Sequence, residues 1–177
     1  MAVRKIGYAK AGVGLIAAVF ILAAVVHMSC DKGIESSDNP DGVLKKSSGC
    51  LDFVNAQKGE LVPPCCSCAD YEYNGGTLAI THLGACFNCC TNVYAVITIN
   101  GSLITIEEKE SGETCYCNCL YQLEYEISNL PVGEYSIRFI ELYHEEGDEA
   151  LEFTINLETE PTGEYCAERN HYPWNEE

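Results

Sequence analysis

Polar and apolar residues alternate along much of the second half of the chain, and a period of two is the mark of half-buried strands. Thr77-Leu78-Ala79-Ile80-Thr81-His82 puts Leu78, Ile80 and His82 on one face. Val93 to Ile99 and Leu103 to Glu107 flank Asn100-Gly101, the strongest hairpin signal in the sequence. A type I′ turn there pairs Ile99 with Ser102, Ile97 with Ile104 and Ala95 with Ile106 on an inner face. The same register sets Glu108 opposite Val93 and near Cys90, on a face where a carboxylate without a partner is costly. Cys115, Cys117 and Cys119 lead into Tyr121, Leu123, Tyr125 and Ile127, and in one regular strand all seven share the inward face. Tyr135, Ile137 and Phe139, then Leu151, Phe153, Ile155 and Leu157, supply two further strands around the polar loop from His144 to Asp148. With no helical run between these segments, the pattern predicts an all-β fold, a small antiparallel immunoglobulin-like β-sandwich.

The chain before this domain reads differently. Met1 to Lys10 is short and basic, and Ala11 to Val26 is an uncharged apolar run. That is the layout of a signal peptide or a single membrane anchor helix, and residues 1–30 are assigned to it. Ser29-Cys30 resembles the end of a bacterial lipoprotein signal, which makes Cys30 the lipidation candidate; His27 stands where that pattern has an aliphatic residue. Lipid anchoring, an uncleaved anchor and simple secretion all place the rest of the chain outside the cytoplasm, the first two of them anchored to the cell membrane. Residues 31–49, polar and rich in turn formers, are expected as a flexible tether. Residues 50–158 form the Cys-rich domain, with a short edge strand at Cys50 to Val54. Residues 159–177 are an acidic tail whose Cys166 can reach Cys50 or the first cluster of Cys65, Cys66 and Cys68.

Charge and cysteine content narrow the function. The formal net charge is -17, and Arg4, Lys5 and Lys10 are the only charges before Asp31, so the domain itself is more acidic still. Such a surface disfavours nucleic acid and anionic headgroups and suits a cation or a basic protein partner. Twelve cysteines point to disulfides, metal, or both.

A thiol cluster beside a histidine suits zinc, which takes about four thiolate or imidazole ligands. The expected set is His82, Cys89, Cys90, Cys115, Cys117 and Cys119, with Cys86 and Glu108 as further donors. Copper as cuprous ion shares the preference for thiolate, and an iron–sulfur cluster is a weaker alternative because the ferredoxin spacings are absent. The leading expectation is a membrane-tethered, non-enzymatic metal-binding sandwich, its site structural or for cation capture. A disulfide-stabilised adhesion or interaction module competes with it, presenting Tyr71, Tyr73, Tyr94 and Trp174 to a partner. A metal- or thiol-dependent enzyme is the third reading. It lacks Cys-x-x-Cys at a helix start, Gly-x-Ser-x-Gly and His-Glu-x-x-His, and no Ser/His/Asp constellation suggests itself.

His82, Asn88-Cys89-Cys90, Ile104-Thr105-Ile106-Glu107-Glu108, Cys117-Asn118-Cys119-Leu120-Tyr121 and Asn129-Leu130-Pro131-Val132-Gly133-Glu134-Tyr135 together carry a resemblance. Over roughly Gly76 to Phe139 the chain is similar to a group of uncharacterised bacterial secreted proteins and lipoproteins. The resemblance implies a recurring set of His82, Cys89, Cys90, Cys117 and Cys119, without an activity. The chain departs from the group at Gly84, where members have asparagine, and at Cys86, where they have a small residue. The Asn-Leu-Pro-x-Gly-x-Tyr segment occurs in many immunoglobulin-like and transthyretin-like sandwiches and speaks to fold.

Overall fold

The computed structural model describes residues 39–51 and 65–174. The signal or anchor segment and Cys30 lie outside them, as do Asp52 to Val54 of the expected edge strand. Among the described residues there are nine strands and no helix: β1 (Asp41–Ser47), β2 (Cys66–Asn74), β3 (Thr77–Asn88), β4 (Asn92–Asn100), β5 (Leu103–Ser111), β6 (Asn118–Ser128), β7 (Glu134–Ile140), β8 (Glu152–Asn156) and β9 (Thr162–Glu168). They build a five-stranded sheet, β1-β6-β3-β2-β9, and a four-stranded sheet, β4-β5-β7-β8. The first is antiparallel throughout. The second is mixed, because β5 and β7 run parallel, so the expectation of a wholly antiparallel sandwich is corrected.

The alternating faces meet in one core. Leu78, Ile80, Leu123, Tyr125 and Ile127 from the first sheet pack with Ile104, Ile106, Ile137, Phe139, Phe153 and Ile155 from the second. Burying each of these side chains is worth roughly 1.5–3 kcal/mol.

Three local expectations change. The turn joining β4 to β5 is Gly101-Ser102, with Asn100 paired to Leu103, so Ile99 faces Ile104, Ile97 faces Ile106 and Glu108 faces Ala95 rather than Val93. Only Gly101 has positive φ there, at 59°, and a positive φ at the first central residue alone is the II′ arrangement rather than I′. Residues 41–47, expected in the tether, form edge strand β1 against β6. The tail contributes β9, which pairs with β2.

Gly84 sits where the β3–β6 register slips between Leu83 and Ala85, at φ 80°. A Cβ there would come within 2.6 Å of the Cys66 carbonyl oxygen. Both the backbone conformation and the space demand glycine. Gly84→Ala is expected to lower unfolding stability by about 1–3 kcal/mol, read from a shifted urea midpoint. An unchanged midpoint would show that the bulge tolerates a side chain.

Candidate functional site

Two groups of chemistry-bearing residues sit at the end of the core. The first is the cysteine loop. Asn88, almost fully buried at the close of β3, organises it: Oδ1 accepts from the Cys90 and Cys115 amides at 3.1 and 2.9 Å, and Nδ2 donates to the Cys115 carbonyl at 2.6 Å. This holds the turn after β3 against the segment between β5 and β6, where Cys89 is bonded to Cys117 and Cys90 to Cys115. Cys50 is bonded to Cys119 at the start of β6, and Cys68 to Cys166, directly opposite each other on β2 and β9.

Cys115 and Cys117 precede β6, so the expectation of three inward-pointing thiols on one regular strand is corrected. Cys86 is buried against Leu120 and Trp174, away from the others; burial, then the carboxylates of Glu110, Glu141 and Glu108, push its thiol up to about 12. Cys65 and Cys66 are unbonded with their sulfurs 3.0 Å apart, and burial plus the neighbouring thiol raise Cys66 to about 11. Neither Cys66 nor Cys86 is the low-pKa thiolate that exchange chemistry needs.

The second group surrounds His82, which is fully buried. Its Nδ1 lies 2.5 Å from Glu108 Oε1, which also accepts the Tyr125 hydroxyl at 2.7 Å. Its Nε2 lies 2.7 Å from Ser67 Oγ, and Ser67 donates to Glu141 Oε1 at 2.7 Å. Glu141 Oε2 in turn binds Arg169 Nη2, while Arg169 Nη1 reaches the carbonyls of Glu149 and Glu168 at 2.7 and 2.8 Å. The guanidinium stands 5.9 Å from the Trp174 ring, whose indole N–H donates to the Gly84 carbonyl.

Ser67, His82 and Glu108 have the connectivity of a hydrolase triad, but the proton order is wrong for one. A carboxylate only accepts, so the serine proton goes to Glu141, and Nε2 must donate to Ser67 Oγ. Nδ1 faces a second carboxylate and carries a proton too. With an acceptor facing each nitrogen, this geometry favours the imidazolium, which has no lone pair left to accept. Burial opposes that charge, but the Glu108 charge and hydrogen bond, helped by Glu141, outweigh it against Arg169 and raise the pKa above its ordinary value. Ser67, His82 and Glu108 are all sealed from solvent. Glu108, Glu141, His82 and Arg169 pair acid with base in a buried clasp between the sheets.

Both His82 nitrogens are occupied within the clasp, apart from the cysteine loop, so the structure does not bring the histidine to the thiols. The sulfurs of Cys89, Cys115 and Cys117 lie within 4.8 Å of one another, as do those of Cys50, Cys89 and Cys119. Ser67, Glu141 and Arg169 were missed in the sequence reading. The signal was period two carried one step further: Ile137-Phe139-Glu141, Ala167-Arg169 and Ser67-Ala69-Tyr71 each continue an inner face. Of the aromatics expected to meet a partner, Trp174 and Tyr71 are buried and Tyr94 is exposed.

No protein-family model, curated protein or solved structure matches this chain.

Proposed function

We propose that the protein is a non-enzymatic binding module on an immunoglobulin-like sandwich, stapled by disulfides and held outside the cytoplasm by its N-terminal segment. The observation that carries this reading is the pairing of eight cysteines into four disulfides. Bridges of this density suit an oxidising compartment. The inert, buried state of the Ser67–His82–Glu108 arrangement supports a binding role over a hydrolytic one.

A second reading is favoured by the crowding of the Cys89, Cys115 and Cys117 sulfurs. In the reduced state these three would offer zinc, or alternatively copper, a thiolate set, with His82 outside it. The test is the mass of the full-length exported protein, native and denatured, with thiols alkylated before and after unfolding. The stapled module is expected to carry no metal, to keep Cys50, Cys68, Cys89, Cys90, Cys115, Cys117, Cys119 and Cys166 unalkylated, and to melt unchanged in chelator. About one equivalent of zinc or copper, lost on denaturation together with newly alkylated cysteines of the loop, would replace it with the metal reading.

A further inference from the structure

We propose that the adjacent thiols of Cys65 and Cys66 are a chelating site for a thiophilic trivalent metalloid, taken up as its hydroxide, of which arsenous acid is the simplest. The site goes beyond the binding-module reading and uses thiols that the four bridges leave over. Neighbouring side chains on a strand point to opposite faces, so two adjacent cysteines do not ordinarily meet. Here Cys65 stands in the turn that leads into β2, Cys66 is the first residue of the strand, and their sulfurs come within 3.0 Å of each other. The backbone of the pair is fixed against β9: Cys66 pairs with Glu168, and the Cys65 carbonyl accepts from the Arg169 amide at 2.7 Å. Arg169 is itself held in the buried clasp by Glu141. Cys65 is exposed and Cys66 half-buried, so both are open to a small solute.

The pair has no other sulfur to bond among the described residues. Cys86, the remaining unbonded cysteine there, is buried against Leu120 and Trp174. A bridge within the pair is disfavoured, because Cα atoms across a trans peptide stand about 3.8 Å apart and a disulfide usually spans roughly 4.4–6.8 Å. Closing that small ring would also turn the peptide whose carbonyl holds the Arg169 amide. The two thiols therefore persist beside the bridged cysteines as a fixed dithiol.

The bite selects the ligand. With bonds of roughly 2.3 Å, the length of a zinc–thiolate bond, sulfurs 3.0 Å apart subtend about 80° at the central atom. Trivalent arsenic and its congeners keep a lone pair and hold their bonds near a right angle. At that bond length a tetrahedral zinc needs sulfurs about 3.8 Å apart, and a linear cuprous centre about 4.6 Å. Protonation points the same way. Burial, the Cys65 thiol and the Glu168 carboxylate outweigh Arg169 and hold Cys66 up at about 11, so it is a neutral thiol. A metal cation must expel such protons, whereas a metalloid hydroxide carries its own base. Two S–H and two arsenic–oxygen bonds break, two arsenic–sulfur bonds form, and the protons leave with the hydroxyls as two waters. The third hydroxyl stays, and no atom changes oxidation state.

The test uses the full-length oxidised protein, without reductant, incubated with arsenous acid and read by intact mass and peptide mapping. A single adduct is expected, heavier than the protein by arsenous acid less two waters and confined to the peptide carrying Cys65 and Cys66. Blocking the pair with N-ethylmaleimide beforehand should abolish it. Cys65→Ser and Cys66→Ser should each weaken binding about a hundredfold or more, since attachment at one point loses the effective concentration of the second thiol. Cys86→Ser is expected to leave the adduct unchanged, and zinc at equal concentration should not displace it. The site is overturned by a pair already joined in the isolated protein or by an adduct that forms only after a reductant opens the bridges. It is equally overturned by full retention in the serine variants, or by zinc in place of the metalloid. The map of the eight bridged cysteines on the same samples reports the disulfides separately, so failure of the site is not confused with failure of the stapled module.

Discussion

Full reduction of the four disulfides is expected to unfold the sandwich at room temperature. The largest loops are closed by Cys68–Cys166, with 98 residues of separation, and Cys50–Cys119, with 69. In the chain-entropy account a loop of roughly 100 residues contributes about 4.7 kcal/mol, and one near 25 residues, as for Cys90–Cys115, about 3.5 kcal/mol. A domain of this size has a total stability of about 5–15 kcal/mol, so losing all four constraints removes most or all of it. Trp174 is buried and its indole N–H is bonded to the Gly84 carbonyl, so its fluorescence reports the collapse directly. The expected record is a red-shifted Trp174 emission and loss of the strand signal in circular dichroism on adding a thiol reductant. The Cys68→Ala/Cys166→Ala pair should cost about 1 kcal/mol more than Cys90→Ala/Cys115→Ala, in line with loop length. A protein with every thiol alkylated and an unchanged spectrum would mean that the core alone supports the fold.

The legible parts of this protein are those where an apolar face faces a core. Leu78-Ile80-His82, Ile137-Phe139 and Leu151-Phe153-Ile155-Leu157 are buried as their alternation implies. The two edge strands of the larger sheet were not legible. β1 is held by its ladder with β6, buries only Leu44 and Gly42 in part, exposes Val43, and carries exposed ion pairs from Lys45 to Glu126 at 3.3 Å and Lys46 to Glu124 at 2.9 Å. Charged edge strands discourage pairing with other chains, and the same charges make such a strand resemble a tether. The hairpin register depended on which two residues occupy the turn, and Asn-Gly permits both placements. At the candidate site, the histidine and the interior glutamate at 108 were visible as interruptions of an apolar face. Their partners Ser67, Glu141 and Arg169 come from three other segments, and only the fold brings those ends together. The same limit applied to the cysteines: proximity of Cys89 and Cys90 to Cys115 and Cys117 followed from strand order, while the pairing required the loop built on Asn88.

Removing one charged member of the clasp is expected to cost about 3–5 kcal/mol, since it leaves its opposite buried without a counter-charge. Arg169→Met strands Glu141, and His82→Gln strands Glu108. Replacing His82 and Glu108 together by leucine should recover part of the loss, because an apolar pair leaves no orphaned charge, although Tyr125 then loses its acceptor. The effect has a definite pH dependence. The groups facing His82 are Glu108, Glu141 through Ser67, Tyr125 on the shared Glu108 oxygen, and Arg169 beyond Glu141. Their sum raises the folded pKa of His82 above its ordinary value. Folding therefore favours the proton: the stabilisation is fully present below about pH 6.5, the unfolded value, and fades as pH rises through the raised folded value. Urea midpoints of wild type and His82→Gln at pH 5.5, 7 and 9 should converge toward the alkaline end. A gap that stays constant or widens with pH would mean that His82 is buried neutral, and would reopen its role as a base toward Ser67.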